Sequence, residues 1–155
     1  MKHEVTLNVI RYKRLEKLMQ TSRADFTITF RQLSNLPKEM KNGEKSKDLF
    51  ESFLLKHAFY DKDLSSKIQD DFVQWIEDWR SQLESENLDL SEVSRNMKQL
   101  NPKYVPREWM LVRAYTAAQQ ADYSNIRELY ELFKNPYDEG KCTVISFQTI
   151  PDEKW

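Results

Sequence analysis

Six apolar residues, Ile68, Phe72, Trp75, Ile76, Trp79 and Leu83, step along the chain by 4, 3, 1, 3 and 4. That spacing puts all six on one stripe of a 3.6-residue period, with acids and amides opposite, and it predicts a long amphipathic helix opening at Ser65-Ser66. Two tryptophans and a phenylalanine on one stripe each remove about 150–250 Å² from water, so this helix is expected at the centre of the core. The rest of the chain is of the same kind. It has only two glycines, Gly43 and Gly140, and is rich in Leu, Glu, Lys and Gln, residues that lose little freedom in a helix.

Further helices follow from spacing and punctuation. One is expected over about Val9 to Gln20, with Ile10, Leu15, Leu18 and Met19 inward. A second begins at a Ser22–Asp25 capping box, carries Phe26, Phe30 and Leu33, and stops before Pro37. Asn42-Gly43 reads as a loop. A third spans Lys47 to Phe59. Asp89 with Glu92 caps another, whose inner face is Leu90, Val93, Met97 and Leu100, and Asn101-Pro102 ends it. Pro106 opens the next, with Trp109, Val112, Ala114, Tyr115 and Ala118, to about Ala121. Ser124 caps the last, with Ile126, Leu129, Tyr130 and Phe133 inward. The expected fold is all-α, an irregular bundle of about six or seven helices over residues 1–137. An extended, irregular tail over 138–155 includes a marginal strand from Thr143 to Phe147.

Composition excludes several functions. Lys plus Arg is 24 and Asp plus Glu is 25, which argues against nucleic acid as a partner, since that needs a basic excess. No run of 18 apolar residues is present, so no membrane span is expected. The amino terminus carries Glu4 and Glu16 and lacks the features of a targeting signal. Cys142 is the sole cysteine, so an internal disulfide and a thiolate metal cage are both excluded. Two glycines cannot supply a GxGxxG or GxxxxGK loop, and His3 and His57 stand in no metal-binding frame.

Side chains with chemistry read mostly as structural. Asp70-Asp71, Glu77-Asp78 and Glu84/Glu86 fall on the outer face of the central helix, where nothing would tune their pKa. Trp75, Trp79, Trp109, Tyr104, Tyr115 and Tyr130 could stack on bases, but at helical spacing they read as core. Arg31, Arg80, Arg107 and Arg113 could grip phosphates; ion pairs and helix carboxyl ends are the expected use. Nucleotide binding through Arg107 and Trp109 has no phosphate loop beside it. No catalytic, cofactor-binding or metal-binding residue is assigned.

Three blocks go further. Residues 19–31, MQTSRADFTITFR, are followed by Leu33-Ser34. Phe72, Trp75 and Arg80 form an F-x-x-W block with an arginine five residues on. Asn101, Pro102, Val105, Arg107 and Trp109 form N-P-x-x-V-x-R-x-W, and Ala117, Asp122, Leu129, Asn135 and Pro136 complete it. In this order, over about residues 15 to 137, the chain resembles the C-terminal helical region of the selenoprotein O (YdiU) family of pseudokinase-fold protein AMPylases. It departs from the family at Pro106, Glu108 and Ala121, the last standing where a glycine is usual and expected to keep that turn from positive φ. The family's C-terminal Cys-x-x-selenocysteine or Cys-x-x-Cys is missing.

The resemblance implies a parent that transfers AMP from Mg-ATP to protein Ser, Thr or Tyr hydroxyls, mitochondrial in eukaryotes and cytoplasmic in bacteria. Nothing here matches the family's nucleotide-binding Lys and Glu or its metal-holding Asn and Asp. The expectation is therefore a fragment, truncated gene model or splice product that is inactive alone, holds no cofactor itself, and partners the kinase-like N-terminal portion and protein substrates. The alternative is a stand-alone helical interaction module with a complete core and a surface polar on every side.

Overall fold

The stripe from Ile68 to Leu83 lies on helix α5, Ser66–Ser85, and the rest of the main body is arranged around it. The computed structural model describes residues 2–139, with side chains from Val9 onward; the strand read over Thr143 to Phe147 lies outside the described residues. The helices before α5 are α1 (Lys2–Ser22), α2 (Phe26–Leu33), α3 (Leu36–Lys41) and α4 (Ser46–Leu49), which runs on into a π-helical turn, Phe50–Leu55. After it come α6 (Leu90–Leu100), α7 (Glu108–Gln119) and α8 (Ser124–Lys134). All seven helices read from the sequence are present, no strand forms among the described residues, and the fold is all-α. Pro37 does not simply end a helix: α2 stops at Leu33, and Pro37 sits in the first turn of α3, where its missing N–H costs little.

Caps explain several starts. Ser65 Oγ accepts from the Ile68 amide and Asp89 Oδ1 from the Ser91 amide. The expected box at Ser22 is corrected. Ser22 closes α1, donating its hydroxyl to the Leu18 carbonyl (2.7 Å), and Asp25 itself caps α2 through the Ile28 amide (2.9 Å). Four helix ends close through a residue in the left-handed region: Arg23 (φ 55°), Gly43 (φ 88°), Asn87 (φ 51°) and Ala121 (φ 59°). At each, an amide reaches back five residues, as Ala24 does to the Met19 carbonyl (2.9 Å) and Asp122 to that of Ala117 (3.0 Å). The turn at Ala121 therefore adopts the positive φ its alanine was expected to forbid, because closing the helix outweighs a Cβ penalty of about 1–2 kcal/mol.

Phe50, Phe59 and Phe72 meet at the centre with ring centroids 5.3–6.0 Å apart. Leu36, Leu54 and Ile76 are fully buried beside them. The π-turn, with its i→i+5 bonds, holds both Phe50 and Leu54 in this core. Helix α1 packs along α5 and α3 against α6, and Trp75 Nε1 donates to the Arg11 carbonyl (3.1 Å). Helices α7 and α8 pack on each other around their own small cluster, Met110, Ala114 and Leu129.

That hairpin buries less than its sequence promised. Ile126, Tyr130, Val112 and Tyr115 are exposed, Tyr130 at 65%. Among the described residues α7 and α8 pack chiefly on each other, and that contact covers a narrow strip of each. Leu100, at the last position of α6, is 78% exposed rather than inward. Among the described residues no helix is long and apolar enough to cross a membrane.

Candidate functional site

Asp25 stands at the start of α2, where the αL turn at Arg23 redirects the chain. A single antiparallel bridge, Ala24 to Phe59, and the Asp25 amide's bond to the Ala58 carbonyl (2.7 Å) fix it there. Its side chain is 5% exposed and its carboxylate fully engaged. Arg107 grips it with both nitrogens, Nη1 to Oδ2 at 2.6 Å and Nη2 to Oδ1 at 3.0 Å. The Ile28 amide donates to Oδ1 (2.9 Å) and the Tyr60 hydroxyl to Oδ2 (2.7 Å). Burial alone would raise the Asp25 carboxyl, but the bonds from Arg107, Ile28 and Tyr60 together hold it below the usual range. Burial, and then the bond to Asp25, push the Tyr60 phenol up.

One and a half turns along α2, the Arg31 side chain is 7% exposed. Its Nη1 donates to the carbonyls of Lys98 (3.0 Å) and Asn101 (2.8 Å), capping the carboxyl end of α6. Its Nη2 donates to the Tyr137 carbonyl (3.3 Å) and to Glu139 Oε1 (2.7 Å). Lys98 reaches the same Oε1 at 3.0 Å, and Lys103 reaches Oε2 at 3.3 Å. Burial would raise the Glu139 carboxyl; Lys98, Arg31 and Lys103 outweigh it and hold it low.

Just past α2, Ser34 adds a second link from that helix to α6 and its end. Its carbonyl accepts from Ser94 Oγ (2.6 Å) and its hydroxyl oxygen from Asn101 Nδ2 (3.0 Å). The Lys103 and Tyr104 amides both donate to the Pro136 carbonyl (2.8 and 3.1 Å), tying the two ends of the α7–α8 hairpin together.

The sequence blocks around Asp25–Ser34 and Asn101–Trp109 are thus partners, joined along one polar seam. Ion pairs and helix caps, the expected use of the arginines, hold for Arg31 and Arg107. Arg80 donates to the Glu44 carbonyl, and Arg113 stays exposed on α7. The acids of α5 serve at its surface: Asp71 meets Lys67 (2.9 Å), Asp78 meets Arg14 (2.5 Å) and Glu77 accepts from Ser46. Of the aromatics, Trp75 and Tyr104 are buried, Trp79 packs at the core edge and Trp109 packs on the hairpin cluster. Tyr115 and Tyr130 are exposed, against the core reading.

Tyr60, Lys98, Lys103 and Glu139 were not singled out by sequence. Glu139 lay in a stretch read as irregular tail. The one available signal was the pairing of an acid in one block with an arginine in another.

Comparison with known proteins fits this arrangement. Residues 3–134 match the family model described as Protein adenylyltransferase SelO. The chain is 36% identical over 126 residues to a protein nucleotidyltransferase YdiU of Flavobacterium johnsoniae, covering 81% of this chain and 23% of that one. It is 32% identical over 139 residues to the YdiU of Tolumonas auensis (90% and 25%), and 32% over 125 residues to that of Xanthomonas euvesicatoria (81% and 22%). The chain therefore spans about a quarter of the length of these curated relatives. No solved structure matches it. With a family model covering nearly all of the described residues, and with the blocks that carry the resemblance joined in space, this chain belongs to the SelO protein adenylyltransferase family.

Proposed function

We propose that this chain is the helical supporting portion of a SelO-type protein adenylyltransferase, and that the transfer of AMP is carried out by other parts of such an enzyme. What carries the reading is the use made of the family blocks. Asp25 and Arg107 are the residues in them best suited to hold a metal or a substrate hydroxyl, and each is engaged by the other. Phosphoryl-type transfer needs groups free to position Mg²⁺ and neutralise charge. Asp25 has no carboxylate oxygen free to offer Mg²⁺. The oxygens of Asp25 are already filled by Arg107, Ile28 and Tyr60, and among the described residues no three His, Cys, Asp or Glu side chains stand together to hold a metal.

The surface supports a covered, accessory body over an independent module. Tyr12, Met19, Phe26 and Phe30 line a groove of about 300 Å³ between α1 and α2, and Phe26 is 61% exposed. The described surface is therefore not polar on every side. In this reading the groove receives the kinase-like portion of the enzyme.

The test is direct. Purified chain is incubated with Mg²⁺, ATP labelled on its α-phosphate and an acceptor protein, with and without the remaining polypeptide of the Flavobacterium johnsoniae relative. No label should transfer with the chain alone, and the added polypeptide should form a complex with it. Label transferred by the chain alone overturns the proposal.

A further inference from the structure

Three cations converge on one carboxylate at the carboxyl end of α6. Arg31 and Lys98 both contact Glu139 Oε1, at 2.7 and 3.0 Å, and Lys103 contacts Oε2 at 3.3 Å. A carboxylate supplies one negative charge and two oxygens, so three positive groups are left undercompensated. The three carbonyls that also bind Arg31, those of Lys98, Asn101 and Tyr137, withdraw part of that excess. The end of a helix dipole is equivalent to only about half a charge, so the balance stays positive.

Next to this cluster opens a shallow cavity of about 430 Å³ whose rim carries mostly polar and charged residues. Lys98 belongs to both, and Lys38, Arg95, Ser91 and Tyr137 also line the cavity. Its acid is Asp138, and Arg95 is half-engaged with Glu92 at 3.5 Å. The Arg31 guanidinium is held almost out of water by main-chain carbonyls, so it is a fixed part of the cluster. Glu139, with its side chain 56% exposed, is the member most free to leave.

We propose that Arg31, Lys98 and Lys103 form an anion site, filled in this structure by the chain's own Glu139 carboxylate, whose external ligand is a phosphoryl dianion. A dianion with three terminal oxygens offers one to each cation and returns two charges where Glu139 returns one. Glu139 acts as a tethered competitor that a dianion displaces. The adjoining cavity has room for the organic part of a phosphate ester, and its Lys38 and Arg95 extend the positive field over that part. The inference is independent of the supporting role argued above.

The experiment titrates the full chain with sodium phosphate, and separately with phenyl phosphate, against sodium chloride at matched ionic strength. Amide shifts of residues 95–104 and 137–139 are followed by NMR. In the native chain phosphate should bind weakly and shift these amides where chloride does not. Glu139→Gln, which removes the competitor, should tighten phosphate at least tenfold, and Lys98→Gln and Lys103→Gln in that background should each weaken it at least fivefold. A phenyl phosphate affinity above that of phosphate identifies an ester as the ligand; equal affinities identify the free oxyanion. Circular dichroism checks that each variant keeps its helices. The proposal is overturned if Glu139→Gln, still folded, binds phosphate no better than the native chain, or if the lysine variants bind as well as their parent.

Discussion

Removing the Asp25–Arg107 pair tests the seam most directly. Asp25→Ala loses the cap on α2, worth about 1 kcal/mol. It also leaves the Arg107 guanidinium without its bidentate partner. Breaking a fully buried pair costs about 3–5 kcal/mol, but Arg107 keeps 23% of its side chain exposed. Water can take over part of its hydration, so about 2 kcal/mol is the better figure for that part. The total for Asp25→Ala is then about 3 kcal/mol. Arg107→Ala leaves Asp25 with its bonds from Ile28 and Tyr60, and loses two charge-assisted bonds, about 2–3 kcal/mol together.

If the two residues act as one unit, the double variant costs less than the sum. It should cost about 4 kcal/mol, a coupling of about 1–2 kcal/mol. Urea unfolding followed by circular dichroism measures the cycle. Hydrogen exchange adds location: Arg107→Ala should speed exchange in α7 and α8 and leave α5 protected, because the hairpin has its own apolar cluster and depends on the clamp for its place. Coupling below about 0.5 kcal/mol, the scatter expected of independent sites, would refute the reasoning.

Acid should loosen the seam. The lowered folded value of Asp25 means that its contribution is fully present above the ordinary carboxylate value of about 3.9 and is lost as pH falls through the lower folded one, so urea midpoints should drop across that window and do so less in Asp25→Asn. Ala121→Gly relieves a Cβ at φ 59° and should raise stability by about 0.5–1 kcal/mol after the extra freedom of glycine in the unfolded chain is subtracted; a loss in thermal or urea unfolding would contradict the left-handed cap. Thr29 is fully buried in α2 and its hydroxyl has no hydrogen-bond partner among the described residues, so Thr29→Val should be neutral or stabilise by up to about 1 kcal/mol by urea unfolding, where a clear loss would reveal a bond the hydroxyl makes.

Local rules made much of the fold legible. The stripe on α5 has a period, Ser65 and Asp89 have caps, and Asn101-Pro102 has a stop, all decided within a few residues. Less local choices were not. Ile126 and Tyr130 have the spacing of inward residues, yet inwardness needs a neighbour, and among the described residues α8 packs chiefly on α7. The αL cap at Ala121 is not legible from alanine's side-chain preference, because the helix-closing bond overrides it. For the candidate site, the family blocks marked Asp25, Arg31 and Arg107 as important and gave no hint that Asp25 and Arg107, 82 positions apart, face each other. Tyr60 and Glu139 join them only through tertiary placement, and neither has a sequence pattern around it that could announce this.

The two clamps act on the same object from opposite ends. Arg107 stands immediately before α7 and Tyr137 soon after α8, so Asp25 holds the entry of the hairpin while Arg31 holds its exit through the Tyr137 carbonyl; the Pro136 carbonyl ties the two ends of its base together. An apolar contact of similar size would hold the hairpin with less orientation, since hydrophobic burial has no direction. A bidentate guanidinium–carboxylate pair admits one geometry. The Asp25–Arg107 pair therefore fixes how the hairpin enters, at a desolvation cost that an apolar joint would avoid. That choice suits a body whose exposed faces, Tyr115 and Tyr130 on the hairpin and Phe26 at the groove, must meet another surface in register. Were the hairpin only a stabilising appendage, replacing Asp25 and Arg107 together by apolar residues of similar size would preserve both stability and docking. If orientation is what the clamp provides, stability survives that exchange and docking to the remaining polypeptide weakens.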